Sequence, residues 1–307
     1  MSDYPLIVVQ PLAVTDAMIV ALGTNVAETD YAAWSGATTY ALGDHVILAS
    51  THKIYQSLQA ANLNKDPTSS TSALWWIEVS PTNRWKLFDT SNSTQTAQST
   101  YIKYTITPGQ TINAIAALNL TGATSAVITV TSASAGVVYS NTIDLSPLPA
   151  SPSWWDWFFG IKRVPRQSIH ADLPAYPDAT ITFELYGGTT LAIGVLLMGQ
   201  QRAFGAGIKY GAKVGIQDYS RKEKNDFGDT VLVQRAFAKR ADFTLMIDAG
   251  EVDSFQDFLS DIRAIPCLWV GSSQYEATAI FGFYKTFDIL ISYPTSSDCS
   301  LQIEGLT

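Results

Sequence analysis

Apolar and polar residues alternate with a period of two through the middle of this chain. Tyr101-Ile102-Lys103-Tyr104-Thr105-Ile106, Ala126-Val127-Ile128-Thr129-Val130-Thr131 and Thr180-Ile181-Thr182-Phe183-Glu184-Leu185 all show it. Pro108-Gly109, Ala135-Gly136 and Gly187-Gly188 punctuate these runs, so residues 81–200 predict an antiparallel sandwich with one solvated face. The period changes once. Within Glu251 to Arg263, Val252, Phe255, Phe258, Leu259 and Ile262 fall on one face of a helix that Pro266 ends. Strands are expected around it at 230–237, 242–247, 279–284, 287–291 and 299–303, making residues 201–307 a β-rich domain with one helix. Residues 1–28, with Pro5-Leu6-Ile7-Val8-Val9 and an apolar run from Met18 to Leu22, read as a lead-in strand or arm. Residues 29–80 are rich in Trp, Tyr, Thr and Gly and form a small separate module. The expected fold class is mainly β and multidomain, and no internal repeat suggests a solenoid or fibrous shaft.

Composition narrows the class. Of 307 residues, 47% are hydrophobic and 15% charged, which describes folded domains. The N-terminus has no basic run and no stretch holds eighteen uninterrupted apolar residues, so neither a signal peptide nor membrane insertion is expected. Two cysteines, Cys267 and Cys299, are too few for a disulfide framework or a zinc site, and two buried free thiols are favoured over one bridge. A net charge of -8 argues against nucleic acid as a partner.

The densest aromatic pattern runs Trp34-Ser35-Gly36, then Tyr40-Ala41-Leu42-Gly43-Asp44, then Lys53-Ile54-Tyr55, and closes on Trp75-Trp76. It resembles the chitin- and cellulose-binding modules of carbohydrate-binding families five and twelve. That resemblance implies sugar contact through Trp34, Tyr40, Tyr55, Trp75 and Trp76. A pyranose packs its apolar face flat on an aromatic ring, and two such rings would hold a sugar at about millimolar affinity. These aromatics are equally the residues from which a fifty-residue fold would build its core, and the sequence leaves both open.

Further resemblances follow. Asn83-Arg84-Trp85 with Phe88-Asp89 looks like the junction at which phage tail proteins enter a jelly roll of the galactose-binding type. Residues 215–240, with Pro266-Cys267-Leu268-Trp269 and Tyr284-Lys285-Thr286-Phe287, resemble the C-terminal domain of siphophage tail-tip proteins. Between these lies Trp154-Trp155-Asp156-Trp157-Phe158-Phe159, for which a buried or subunit-interface role is favoured over an exposed one.

Charge is uneven: residues 201–240 hold nine Lys and Arg against four acids, and residues 241–307 hold two against ten. Opposite signs on opposite edges suit head-to-tail contacts around a ring, with Arg221, Lys222, Arg235, Lys239 and Arg240 as candidate oligomer contacts, the first two in a segment of alternating sign that pairs with a neighbouring copy and the last three toward Asp248, Glu251 and Asp253 of a neighbour; a solvated face with a local charge excess is the equal alternative. No nucleophile elbow, P-loop, dinucleotide fingerprint or metal-spaced histidine motif occurs, so no catalytic residue, metal or cofactor is expected. Glu78 is the single acid beside the module's aromatics.

Taken together, the resemblances imply a structural virion protein of a tailed-phage tail tip, assembled in the host cytoplasm. Its expected partners are copies of itself in a hexameric ring, tail-tube and hub proteins, and host cell-surface polysaccharide. The alternative is a receptor-binding adhesin, and a glycan hydrolase ranks below both.

Overall fold

The computed structural model describes residues 5–149, 153–224, 229–272, 275–291 and 293–306. The chain is mainly β, with 53% of residues in strands. Among the described residues only two α-helices occur, Trp154–Phe159 and Val252–Asp261.

One 26-residue strand, Ala179–Phe204, organises the larger part of the molecule. Its first half lies between Tyr101–Ile106 and the far half of Ala114–Ser132, which also pairs with Gly136–Asp144. Its second half pairs with the near half of Ala114–Ser132, and its end pairs with Leu6–Pro11. The predicted turn at Gly187-Gly188 is instead a bulge within this strand. The register jumps from Thr121↔Ala192 to Ala123↔Gly187, so several extra residues on one strand oppose Gly122 on the other. A side chain at Gly187 would put its Cβ 2.2 Å from the Gly122 carbonyl oxygen. The fold at this point brings the two halves of one sheet over a common core that includes Leu87, Tyr104, Ile115, Ile128, Phe183 and Ile193.

The expected boundary at residue 200 falls inside that continuous strand, and the lead-in segment is divided between the two parts. Leu6–Pro11 is an interior strand, inserted between Gly199–Phe204 and Leu268–Val270 with Leu6 and Val8 fully buried. Ile19–Thr24 joins the sandwich beside Tyr101–Ile106. Beyond Leu6–Pro11 the sheet continues through Cys267–Val270, Ala279–Leu290, Ser296–Gly305 and Phe237–Asp248. Ala279–Leu290 is one strand carrying a bulge between Tyr284 and Thr286 where the alternation suggests two. The helix Val252–Asp261 packs Phe255, Phe258 and Leu259 onto this sheet with Leu6, Phe204, Phe243 and Trp269. Cys267 and Cys299 are free and buried in this core, where desolvation pushes both thiols up to about 12.

Candidate functional site

The small module is a three-stranded sheet, His45–Leu48, Lys53–Ser57 and Trp76–Pro81, with a short Thr39–Tyr40 and Asn62–Leu63 pair beside it. Tyr40, Val46, Tyr55 and Trp76 form its core, and Trp34, Leu48 and Trp75 pack against them. Tyr40 meets the edge of Trp76 at a centroid distance of 5.2 Å, and the Trp76 indole donates to the Lys65 carbonyl at 2.8 Å. The Tyr40 hydroxyl accepts from the Ser35 amide at 2.7 Å. Tyr40, Tyr55 and Trp76 are at most 8% exposed, so these three of the five aromatics expected to stack on sugar are packing residues instead. Trp34 and Trp75 are half-buried. Lys65 Nζ stands 5.1 Å over the Trp75 ring, covering one face by a cation–π contact. The Gly-Asp step is a turn device: the Asp44 carboxylate accepts from the Ala41 amide at 2.7 Å. Glu78 is engaged by Lys53 at 2.7 Å.

Pattern reading missed a solvent-facing pair on the same module. Tyr31, 46% exposed, stacks on His45 at 4.9 Å, 18° from parallel. Residues 32–34 run parallel to His45–Leu48, with the Trp34 amide donating to the Ile47 carbonyl at 2.8 Å. That parallel bridge brings Tyr31 to His45, and no periodic signal at residue 31 announces it.

The Asn83-Arg84-Trp85…Phe88-Asp89 junction is built from local contacts, although the buried Arg84 Nε and Trp85 Nε1 have no hydrogen-bond partner among the described residues. Asn83 exchanges two hydrogen bonds with Ala97, and its amide donates to the Asp30 carboxylate. The Arg84 carbonyl accepts from the Tyr104 hydroxyl at 2.6 Å, and burial raises the Tyr104 pKa. Trp85, Phe88 and Tyr104 make successive edge contacts that lead into the sandwich core. The Asp89 carboxylate accepts from the Ser91 amide and the Thr94 hydroxyl, while desolvation pushes its pKa up. From the module side, His52 stacks on Trp85 at 4.2 Å and its Nδ1 donates to the Glu28 carboxylate at 3.1 Å. The Thr82 hydroxyl donates to the same carboxylate at 2.8 Å. The module is thus latched to the sandwich by named contacts.

The candidate oligomer residues lie on a projecting two-stranded arm or at its base. Lys213–Asp218 pairs with the start of Phe237–Asp248, and Arg221–Lys224 pairs with Thr230–Val233 farther out. Every residue of Lys213–Asp218, Arg221–Lys224 and Thr230–Val233 is exposed, including Val214, Ile216, Val231, Leu232 and Val233. The expected charges are partly spent within the chain. Arg221 pairs with Glu223, Lys222 with Asp218 at 2.7 Å, and Arg240 with Asp242 at 2.7 Å. Hydrogen bonds from Lys222 and Ser220 hold the Asp218 carboxyl well below the usual carboxylate range. The Arg235 amide donates to Ser220 Oγ at 3.1 Å, and Lys239 reaches toward the Ala279 carbonyl at 3.5 Å. Asp248, Glu251 and Asp253 make no ion pair among the described residues.

The Trp154–Phe159 cluster, expected to be buried or at an interface, is exposed on this chain: Trp157, the most covered of its five aromatic rings, is 59% exposed. No group of three His, Cys, Asp or Glu among the described residues could hold a metal ion. Comparison with known protein families, curated proteins and solved structures gave no match.

Proposed function

We propose that this protein is a structural component of a tailed-phage tail tip that assembles into a homo-oligomeric ring, with the small module as a secondary glycan-contact element. The observation that carries this reading is the arm built from Lys213–Asp218, Arg221–Lys224 and Thr230–Val233. The outer ladder, Arg221–Lys224 with Thr230–Val233, is marginal in water on its own, and Val231, Leu232 and Val233, with Val214 and Ile216 on the edge strand at its base, need a cover that the described residues do not supply. Neighbouring copies provide one, each arm lying on the next subunit. Arg221, Lys222 and Arg240 already have internal partners, so apolar cover sets the affinity, while Arg235 and the acids at the helix start set register.

The adhesin alternative depends on an aromatic sugar platform, and the burial of Tyr40, Tyr55 and Trp76 reduces that platform to Trp34, Trp75 and Tyr31. The ring reading is favoured for that reason.

Native mass spectrometry of the purified full chain tests it. A closed oligomer is expected, and Val231→Asp combined with Leu232→Asp converts it to monomer. A wild-type chain that stays monomeric at micromolar concentration and in assembled tails would end the ring reading. Deleting residues 29–80 should leave particles assembled; loss of adsorption by those particles would restore the adhesin.

A further inference from the structure

The aromatic turn and the basic strand that follows it form one protruding unit. Leu148–Pro149 pairs with Lys162–Arg163, pinning the base of a loop whose far side is the helix Trp154–Phe159. Trp154 packs on Phe158 at 5.1 Å and Trp155 on Phe159 at 4.5 Å, so the helix is held together by its own i,i+4 ring pairs. Trp154 is 75% exposed and Ile161, just beyond the helix, 89% exposed. Asp156 is the single polar side chain in this helix.

The Lys162–Arg163 strand at the base of this turn lines an open cleft of about 440 Å³, together with Arg166, Gln167, Lys239 and Glu276. Four cations face one carboxylate there. Glu276 is taken by Arg163, and Gln167 Nε2 donates to the Glu276 carbonyl at 3.2 Å. Among the described residues, Lys162 and Arg166 have no ion-pair partner. Desolvation lowers the Lys239 pKa, while Glu276 opposes that and nearby Arg163 adds to it.

We propose that the 154–166 unit docks on an anionic phospholipid surface, the aromatic helix seated in the headgroup region and Lys162, Arg166 and Lys239 receiving lipid phosphate. Two observations select a lipid surface over a protein partner. A protein covers one face of a helix, whereas this helix is apolar nearly all round and would still leave rings in water; immersion covers every side. Tryptophan is also the side chain that favours the membrane–water boundary, and the adjoining cations match anionic headgroups. The expectation of no membrane insertion is revised only this far: no helix among the described residues is long and apolar enough to cross a membrane, and a shallow seat requires none. The proposal stands whether or not the chain forms rings.

Co-sedimentation of the full chain with vesicles of phosphatidylglycerol and phosphatidylcholine, against pure phosphatidylcholine, tests it. Brominated lipids quench only those tryptophans that reach the bilayer. Binding to the anionic vesicles with quenching is expected. Lys162→Ala with Arg166→Ala should weaken it about 30-fold, and Trp154→Ser with Trp155→Ser should reduce quenching to what Trp157 alone gives. All four positions are exposed, and unchanged circular dichroism confirms folding. Equal binding to both vesicle types that the Lys162 and Arg166 changes do not weaken would overturn the proposal. So would inorganic phosphate binding to a chain that ignores vesicles, or tryptophan variants whose only effect is a changed oligomeric state.

Discussion

The aromatic residues of the small module and those of the 154–159 turn are similar in kind and opposite in placement. In the module, Tyr40, Tyr55 and Trp76 are within 8% of full burial, and each indole or hydroxyl sits within a hairpin framework that gives it a partner or a packing surface. In the turn, Trp154, Trp155, Trp157, Phe158 and Phe159 contact mainly one another and water. The difference comes from neighbouring secondary structure. Strand pairing at Tyr55↔Glu78 and Ser57↔Trp76 lets alternate residues share one inner face. A six-residue helix on a narrow two-residue ladder has no opposing layer to cover it. Aromatic density therefore marks a core where strands close over it, and a contact surface where they do not.

The strongest way to break the comparison is to remove one ring from each region. Trp76→Ala deletes a buried indole and its bond to Lys65, and a loss of about 3–5 kcal/mol is expected. The loss should concentrate in the module, appearing as rapid proteolysis within residues 64–72 before the sandwich melts. Trp154→Ala should change stability by no more than about 0.5 kcal/mol in the same denaturant titration. Equal losses at the two positions would mean that the turn is a packed element and not a surface.

The same contrast explains what the sequence could and could not reveal. Alternation placed Tyr101–Ile106 correctly, and the 3.6 period placed Val252–Asp261, because both signals are local. The position of Leu6–Pro11 as an interior strand depends on partners about 190 and 260 residues away, and no local period encodes a distant register. Gly187-Gly188 carries the same residues whether it turns a chain or bulges a strand; only Gly122 opposite distinguishes them. In the candidate site, the motif order located the module's aromatics but not their exposure, since a ring that stacks on sugar and a ring that packs a core obey the same spacing. The junction was the reverse case. Its residues looked like a family signature, and Asn83 and Asp89 prove to hold hydrogen bonds and Trp85 and Phe88 ring contacts, while Arg84 serves through its backbone carbonyl.

A finer test separates the module's own core from its latch to the sandwich. His52→Ala removes the stack on Trp85 and the bond to Glu28, leaving that carboxylate with Thr82 alone. About 1–2 kcal/mol should be lost, with faster amide exchange at 83–87 while the indole of Trp76 keeps its buried fluorescence. A double-mutant cycle with Glu28→Gln should show coupling between the two residues. Additive effects would mean that the histidine acts through stacking alone.

The smallest expected effect concerns the point where the chain leaves the exposed turn and re-enters the sheet. His170 ends the strand Gln167–His170, paired with Ile115, and its Nε2 lies 2.9 Å from Ser168 Oγ. Desolvation lowers its pKa below the ordinary 6.5, and Asp172 only partly opposes this. The folded chain therefore favours the neutral ring, and the unfolded chain binds more protons between the depressed folded value and 6.5. Stability from this residue is fully present above pH 6.5 and is lost as pH falls through that window toward the folded value. Melting temperature should decline on acidification below 6.5, and His170→Asn should flatten that decline without changing the melt at pH 8. An unaltered slope in the variant would assign the acid sensitivity to carboxylates.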